Sequence, residues 1–393
     1  MKEKLSYVIV TPYTVAKSRT GGVISRLLSQ TSLEFVGAQM FAADEMFTTE
    51  YAKLMRSQKD PKNPEAGELL ASYIEQSIGP VDGKTRRSLL LLFKGEDATR
   101  KLSDICGALY PHNRSVESLT GETIRDTYSD LIYHPQDPQK VAYFEPAVFT
   151  PRNQEYADKV LTLLASWLPT QSNLIERAPV KGEKREKTLV IIKPDNWRHA
   201  SSKPGTIIDM FSRTGLRIVG MKLHQMSVAE ALEFYGPVQE ALQKKLSPIM
   251  GKKAKQCLEE EFEMAFSDET LDALVKSFGS EYAQAEFEKI VEFMSGSRPS
   301  IVPFDQRAQR GSVKCLILVY EGVDAISKIR EVLGPTDPSK APEGTVRREF
   351  GKDIMVNTAH ASDSPESANR EMKITRFSQN RCAEIISSYL NHA

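Results

Sequence analysis

The sequence predicts an α+β protein made of two copies of one βαββαβ unit. Each copy should form an antiparallel four-stranded sheet with helices on one face, an arrangement described as ferredoxin-like. Two observations support this fold class. Short apolar runs rich in β-branched residues alternate with stretches of helical periodicity, and the same order of elements occurs in both halves of the chain. The 393 residues leave room for two or three domains at about 100 to 200 residues each.

The second half shows the unit most clearly. Ser227 and Glu230 form a capping box that begins a helix reaching about Tyr235, and Gly215 and Gly334 end two other helices. In order, we expect strand 188–193, helix 204–214, strand 216–223, the capped helix, strand 313–320, helix 324–333, strand 353–357 and helix 365–375. With the additional helices set aside, this order is βαββαβ.

The first half repeats this order with similar spacing. The corresponding segments are 7–11 and 188–193, 22–24 and 205–207, 33–37 and 216–220, 89–93 and 315–320, and 123–125 and 345–347. We therefore predict two homologous domains, 1–179 and 180–393, joined by the charged linker 180–187. The second domain should carry helical insertions at about 239–284 and 297–311.

Composition and charge narrow the functional classes. Hydrophobic residues make up 40% of the chain and charged residues 26%, and 52 basic residues balance 52 acidic ones. We therefore expect neither nucleic acid nor a membrane as a partner. The four cysteines, Cys106, Cys257, Cys315 and Cys382, lie far apart without metal-binding spacing, and 1–5 shows no signal-peptide pattern. These features predict a cytoplasmic protein.

The segment 356–366 places His360 among small residues just before a helix start. Ser364 can cap that helix, Pro365 suits its first position, and Glu366 favours its positive end. A helix N-terminus attracts anions, and imidazole is a nucleophile near neutral pH because its unperturbed pKa is about 6.5. The segment alone is therefore consistent with phosphate chemistry, and equally with a histidine held by hydrogen bonds in a capped loop.

The second half resembles the nucleoside diphosphate kinases. The resemblance rests on four segments in this order: Lys193-Pro194-Asp195, then 330–338 (REVLGPTDP), 344–347 (GTVR) and 357–364 (NTAHASDS). It implies a phosphotransferase that moves the γ-phosphate of a nucleoside triphosphate to a nucleoside diphosphate. His360 would be the nucleophile and would carry the phosphoryl group between the two substrates. The resemblance also implies a homo-oligomer, and Mg²⁺ bound through nucleotide phosphates rather than by dedicated protein ligands.

Arg330 and Arg347 suit the charge of a transferring phosphoryl group, which spreads over the equatorial oxygens. Guanidinium groups bind phosphate in bidentate fashion. Thr336 would add a hydroxyl to the same phosphates. Taken one at a time, these residues could equally be solvated surface groups.

The resemblance assigns roles to five further residues. Lys193 and Asn357 would hold the ribose 3′-hydroxyl and the bridging oxygen. Glu371 would accept a hydrogen bond from the imidazole, Ser362 would lie beside the histidine, and Tyr235 would line the nucleotide pocket. Fixing one ring nitrogen as a donor leaves the other able to attack.

The sequence departs from the family in places. Ala361 follows the histidine where the family has glycine. In the first half, Thr11 stands for Lys193 and Ser103 for Arg330, Ala147 falls at the histidine position, and Arg125 alone remains. We therefore expect the first domain to be degenerate and structural. The alternative function is a catalytically inactive nucleotide-binding or scaffolding protein.

Overall fold

The computed structural model describes residues 3–58, 64–109, 121–176 and 184–392. They form two compact units. The first unit comprises Met1–Leu223, Leu316–Met372 and Arg376–Ala393, and the second comprises His224–Cys315 and Lys373–Thr375. The predicted boundary at 179/180 and the first part of the predicted linker lie outside the described residues, so the domain division 1–179 and 180–393 stays a prediction. Glu186 and Lys187, at the other end of that linker, belong to a strand.

The strands are β1 (Lys4–Val10), β2 (Glu34–Phe41), β3 (Ser88–Gly95), β4 (Asp130–His134), β5 (Asp137–Glu145), β6 (Val148–Phe149), β7 (Glu186–Ile192), β8 (Arg217–His224), β9 (Cys315–Gly322) and β10 (Ala359–Ala361). The helices of the first half are α1 (Pro12–Ala16), α2 (Thr20–Ser29), α3 (Glu45–Arg56), α4 (Ala66–Ser77), α5 (Ala98–Cys106), α6 (Ile124–Tyr128) and α7 (Gln154–Trp167). Those of the second half are α8 (Lys203–Ser212), α9 (Val228–Phe262), α10 (Asp268–Leu274), α11 (Ser280–Ser295), α12 (Ala325–Leu333), α13 (Val346–Phe350), α14 (Pro365–Ile374) and α15 (Cys382–Leu390). Among the described residues, none of these helices is long and apolar enough to cross a bilayer.

One eight-stranded sheet contains strands of both halves, in the order β10-β7-β9-β8-β2-β3-β1-β6. Its first four members come from the second half of the chain and its last four from the first half. Within each group, the first strand of the unit lies between the third and the fourth, which is the order of a βαββαβ sheet. The two predicted four-stranded sheets are therefore present, and they are joined edge to edge through β2 and β8, where Gln39 pairs with Lys222.

Alternate residues of the first-half strands enter two different apolar cores. In β1, Val8 and Val10 belong to the core that also contains residues of α2, α5, α8 and α12. Tyr7 and Ile9 point the other way, into the core formed with α3, α4, α7 and α15. Because successive side chains of a strand alternate between faces, both sides of this part of the sheet are covered. The expectation of helices on one face only is wrong for the first half.

Two predicted elements differ from the structure. The helix that begins at the Ser227–Glu230 capping box continues to Phe262 rather than ending near Tyr235, and it includes Pro237 and Pro248. Residues 353–357 form no strand. The Asp353 carboxylate accepts hydrogen bonds from the backbone N–H groups of Met355 and Val356, at 2.8 and 2.7 Å, and this turn replaces strand pairing.

The second unit is mainly helical. That residues from about 239 to 284 are an insertion relative to the family stays a prediction. Within it, α9 approaches the segment before α11 closely. A Cβ atom at Gly279 would lie 2.3 Å from the carbonyl oxygen of Ser247, and one at Gly251 would lie 2.5 Å from the Val275 side chain. The other predicted insertion, 297–311, holds one short 3-10 turn, Phe304–Gln306.

Helices α2 and α8 pack through glycine in the first unit. A Cβ atom at Gly205 would lie 2.3 Å from the carbonyl oxygen of Gly21 and 2.4 Å from the backbone nitrogen of Ser25. These contacts are with backbone, which cannot move aside as a flexible side chain would. The crossing therefore requires glycine for its lack of a side chain, not for its backbone freedom.

We predict that Gly205→Ala lowers the free energy of unfolding by about 1 to 3 kcal/mol, the usual cost of overpacking. The matched control is Gly236→Ala in α9, where a Cβ atom meets nothing within 4 Å. That change should be neutral or stabilising by up to about 1 kcal/mol, because alanine favours the helix interior. Urea denaturation measures the free energy of unfolding of both variants. Equal effects of the two substitutions would contradict a close helix crossing at Gly205.

Candidate active site

His360 lies on β10 rather than in a loop that leads into α14. β10 is antiparallel to β7, and His360 is the residue opposite Ile191. Its side chain is 23% exposed, so the ring reaches solvent while the strand backbone is fixed. Hydrogen bonding between strands holds the Cα position of this histidine more firmly than a loop would.

The imidazole contacts a buried carboxylate. His360 Nε2 lies 3.0 Å from Glu371 Oε1, and the other carboxylate oxygen accepts a hydrogen bond of 2.6 Å from Ser362 Oγ. Glu371 lies on α14, whose start is capped as predicted: Ser364 Oγ accepts from the backbone N–H of Ser367 at 3.0 Å. The cap fixes where α14 begins, and the helix then carries Glu371 back to the histidine.

Lys193 and Asn357 form a buried pair. Lys193 Nζ donates to Asn357 Oδ1 at 2.6 Å, and the two residues are only 8% and 2% exposed. Burial, with a smaller contribution from the charge of Arg347, lowers the pKa of Lys193 to about 8. Asn357 Nδ2 in turn donates to the carbonyl oxygens of Ile354 and Thr336, at 2.7 and 3.3 Å. Lys193 is therefore a positive charge held in place at a strand end.

Arg347 connects three segments of this site. Its Nη1 donates 3.0 Å to the carbonyl oxygen of Gly334, which follows α12, and its Nη2 donates 3.0 Å to the carbonyl oxygen of Ala359 on β10. Arg330 lies on α12 and is exposed. A hydrogen bond from Ser367 is the main cause that lowers the pKa of Asp363, and the charges of Arg330 and His360 add to it. Arg330 and His360 therefore both lie near the Asp363 carboxyl group.

The second half of the chain matches known proteins. The sequence model of the nucleoside diphosphate kinase family matches residues 186–250 and 270–381. The nucleoside diphosphate kinase of Paracoccus denitrificans is 32% identical over 187 residues, which are 48% of this chain and 90% of that protein. The chain belongs to the nucleoside diphosphate kinase family. Similar relatives include the enzyme of Staphylothermus marinus, 31% identical over 189 residues, and nucleoside diphosphate kinase 2 of Protochlamydia amoebophila, 31% identical over 198 residues.

Coverage of these relatives is nearly complete. The matched region spans 91% of the Staphylothermus protein and 96% of the Protochlamydia protein, and 48% and 50% of this chain. Among solved structures, the Aquifex aeolicus nucleoside diphosphate kinase is 28% identical and 94% covered with a TM-score of 0.30, and an NDP kinase from Pyrobaculum aerophilum is 27% identical and 95% covered with a TM-score of 0.33. These two structures each match 49% of this chain.

Two residues near His360, Thr358 and Asn196, have no role predicted from the sequence. Thr358, two positions before the histidine, has φ of 75°, a left-handed conformation that is rare for a β-branched residue. Its carbonyl oxygen accepts from the backbone N–H of Lys193 at 2.9 Å and from Asn196 Nδ2 at 2.8 Å. Asn196 thus holds a strained peptide beside His360. The only sequence signal was the position of Asn196 directly after the Lys193-Pro194-Asp195 motif.

The remaining predicted site residues are placed as follows. Thr336 is exposed, and its backbone carbonyl oxygen accepts the hydrogen bond from Asn357 Nδ2. Tyr235 belongs to the second unit, is 6% exposed and packs its ring 4.9 Å from that of Phe234. Its role at the nucleotide therefore stays a prediction. The part of the chain that the structure describes holds no cluster of three His, Cys, Asp or Glu side chains able to bind a metal.

Hydrogen bonds in the first half indicate which residue there holds the position of the histidine. Arg125 donates to the carbonyl oxygens of Gly107 and Val148, as Arg347 does to those of Gly334 and Ala359. Val148 therefore corresponds to Ala359, and the next residue, Phe149, corresponds to His360. The assignment of Ala147 to the histidine position was wrong by two residues. Ala147 corresponds instead to Thr358 and shares its positive φ, at 61°.

We predict that the pKa of Lys193, measured by NMR of its side-chain ε-methylene group, is near 8 and rises in Arg347→Gln. Removing the neighbouring guanidinium removes one of the two causes that favour neutral lysine. The control is Arg348→Gln, an exposed arginine one residue later. Phosphate affinity of the wild type should fall as pH rises through about 8, because only protonated lysine attracts the anion. If the pKa of Lys193 were that of an ordinary lysine and did not change in Arg347→Gln, the prediction would be wrong.

Proposed function

We propose that this chain transfers the γ-phosphate of a nucleoside triphosphate to a nucleoside diphosphate through a phosphohistidine at His360. The contact that supports this most strongly joins His360 Nε2 and Glu371 Oε1 at 3.0 Å. Lys193, Arg330 and Arg347 supply positive charge to the same part of the structure. If Nε2 carries the proton donated to Glu371, Nδ1 is unprotonated and holds the lone pair that attacks phosphorus.

The reaction has two half-steps. In the first, Nδ1 forms a bond to the γ-phosphorus while the bond from that phosphorus to the bridging oxygen breaks, and the nucleoside diphosphate leaves with the electron pair. In the second, a terminal oxygen of another nucleoside diphosphate attacks the same phosphorus and the N–P bond breaks. Glu371 stabilises the histidine in both half-steps, and Ser362 holds Glu371 through its hydrogen bond of 2.6 Å.

The cations would stabilise the charge that spreads over the transferring group. Arg330, exposed at the end of α12, and Arg347 supply guanidinium groups, and Lys193 supplies an ammonium group that burial has partly desolvated. Fixed charges of this kind cost no reorganisation during the reaction. Lys193 and Asn357 would contact the ribose hydroxyl and the bridging oxygen, Thr336 the phosphates, and Tyr235 the wall of the nucleotide pocket.

Mg²⁺ would reach this site on the nucleotide phosphates. The residues around His360 are mainly cationic, and this set of donors suits a metal brought by phosphate oxygens better than one held by protein alone. The ion would neutralise phosphate charge during transfer. We name no protein ligand for it.

The first half, under this proposal, has a structural role. It keeps the fold and the structural arginine, Arg125, but has phenylalanine at the histidine position. We further propose that 1–179 and 180–393 are the two homologous domains and that the protein forms a homo-oligomer. A cytoplasmic location is supported by the four cysteines, which all have free thiols.

The proposal is tested by incubating the full-length protein with γ-labelled ATP and Mg²⁺, then chasing with unlabelled GDP. The wild type should form an acid-labile, alkali-stable phosphoprotein that loses its label to GDP, whereas His360→Ala should take up no label. His134→Ala is the matched control, since this exposed histidine lies on β4 in the other half. An unlabelled wild type, or equal labelling of His360→Ala, would falsify the proposal.

Two further substitutions test the supporting residues. Arg330→Gln should lower kcat by about 10² to 10³, the usual loss for one fixed charge donor, while the exposed Arg348→Gln should not.

Glu371→Gln should slow phosphorylation of His360 about tenfold to a hundredfold, since a charge-assisted hydrogen bond contributes about 1.5 to 3 kcal/mol. Single-turnover labelling rates measure both effects. Unchanged rates in both variants would mean that neither side chain acts in transfer.

A further inference from the structure

A cavity in the first unit is lined by residues other than those around His360. It has a volume of about 360 Å³ and lies between α1, α4 and β5, the segment that enters β3, and the start of β8. We call it the seam cavity, because Arg217 of β8 joins first-half residues in its wall. Its main lining side chains are Tyr13, Tyr73, Tyr143, Arg86, Arg87 and Arg217. None of the residues proposed for phosphotransfer lines it.

A smaller cavity of about 70 Å³ adjoins the first one. The two share Ala16, Arg87 and Arg217 as lining residues. Thr20 and Tyr320 also line the small cavity and are 1% and 0% exposed. Among the described residues, neither hydroxyl has a hydrogen-bond partner. Since a buried hydroxyl without a partner costs stability, these two groups indicate a polar occupant of the small cavity.

The charge of the walls favours an anion. Three guanidinium groups line the two cavities, against one carboxyl group, that of Glu145. Glu145 already accepts hydrogen bonds from Thr11 Oγ1 at 2.9 Å, from the Ala147 backbone N–H at 3.1 Å and from the Tyr73 hydroxyl. Burial raises the pKa of the Glu145 carboxyl group. Outside the lining, Glu321 lies 3.9 Å from Arg217 and 3.7 Å from Arg185.

The aromatic walls favour a flat ring. Tyr13 and Tyr143 are partly exposed, and Tyr143 keeps 44% of its surface in contact with solvent. Lys17 and Arg19 already lie over the ring of Tyr13, at 5.6 and 5.5 Å from its centroid. Tyrosine faces bind flat aromatic groups, and arginine forks bind phosphate oxygens. The wall therefore combines both kinds of recognition within one cavity.

We propose that the seam cavity binds a small aromatic phosphate ester, with its ring against Tyr13 and Tyr143 and its phosphate near Arg86, Arg87 and Arg217. The small cavity receives part of the phosphate or its ordered water, which the Thr20 and Tyr320 hydroxyls bind. This site is separate from the His360 site and does not depend on phosphotransfer. The degenerate half therefore contributes a ligand site in addition to its structural role.

The test is an NMR titration of the full-length protein carrying ring-labelled tyrosine, with phenyl phosphate as the probe. The signals of Tyr13 and Tyr143, assigned from Tyr→Phe variants, should shift with saturation. Inorganic phosphate and phenol serve as separate probes for the two parts of the ligand, and each should bind about tenfold or more weakly than phenyl phosphate. Because the readout is position-specific, binding at the nucleotide site does not interfere.

Two variants locate the site. Arg86→Gln and Tyr143→Ala should each weaken phenyl phosphate binding about tenfold or more, with unchanged melting temperature. The control Arg100→Gln changes an arginine that is 72% exposed, contacts Asp97 and lines neither cavity, and it should bind as the wild type does. Absence of shifts at Tyr13 and Tyr143, equal affinity for inorganic phosphate, or full affinity in both variants would overturn the proposal.

Discussion

The site depends on one arginine whose hydrogen bonds are made to backbone. Arg347 links the carbonyl oxygens of Gly334 and Ala359, so the end of α12, the start of α13 and the strand that carries His360 are fixed to one another. Arg125 makes two corresponding contacts in the first half, where Phe149 holds a strand position similar to that of His360. An arginine therefore links the same kinds of backbone segment in both halves, with or without a histidine on the adjacent strand. In the second half the same guanidinium also places positive charge where phosphate would be transferred.

Much of the fold could be predicted from the sequence because local signals determined it. The Ser227–Glu230 capping box and the Ser364 cap are both present. Most predicted strands and helices of the second half lie within a few residues of their expected positions, although α9 continues to Phe262. The errors have local causes as well. An aspartate that caps a turn replaced the strand expected at 353–357, and the true strand is only the three residues Ala359–Ala361. A strand of three residues is too short to show the alternation of apolar and polar side chains that predicts a strand.

Other features depend on contacts between distant residues, which a single sequence does not show. The edge pairing of Gln39 with Lys222 joins two sheets that were expected to be separate. Asn196 and Thr358 are far apart in sequence and meet only because β7 and β10 are neighbours. Sequence spacing places Ala147 at the histidine position, whereas the arginine contacts and the strand register place Phe149 there. The family motif was recognisable because its residues follow one another in fixed order, whereas their supporting contacts do not.

The joined sheet also limits how copies of this chain can associate. An exposed sheet edge with a long row of unpaired amide groups readily recruits another strand and leads to aggregation. In the eight-stranded sheet, β2 and β8 meet at the pair Gln39 and Lys222, and the outermost strands, β10 and β6, have only three and two residues. Such short edges give little template for growth of the sheet. Association of copies by extension of the eight-stranded sheet is therefore disfavoured, and contacts between whole molecules would use other surfaces.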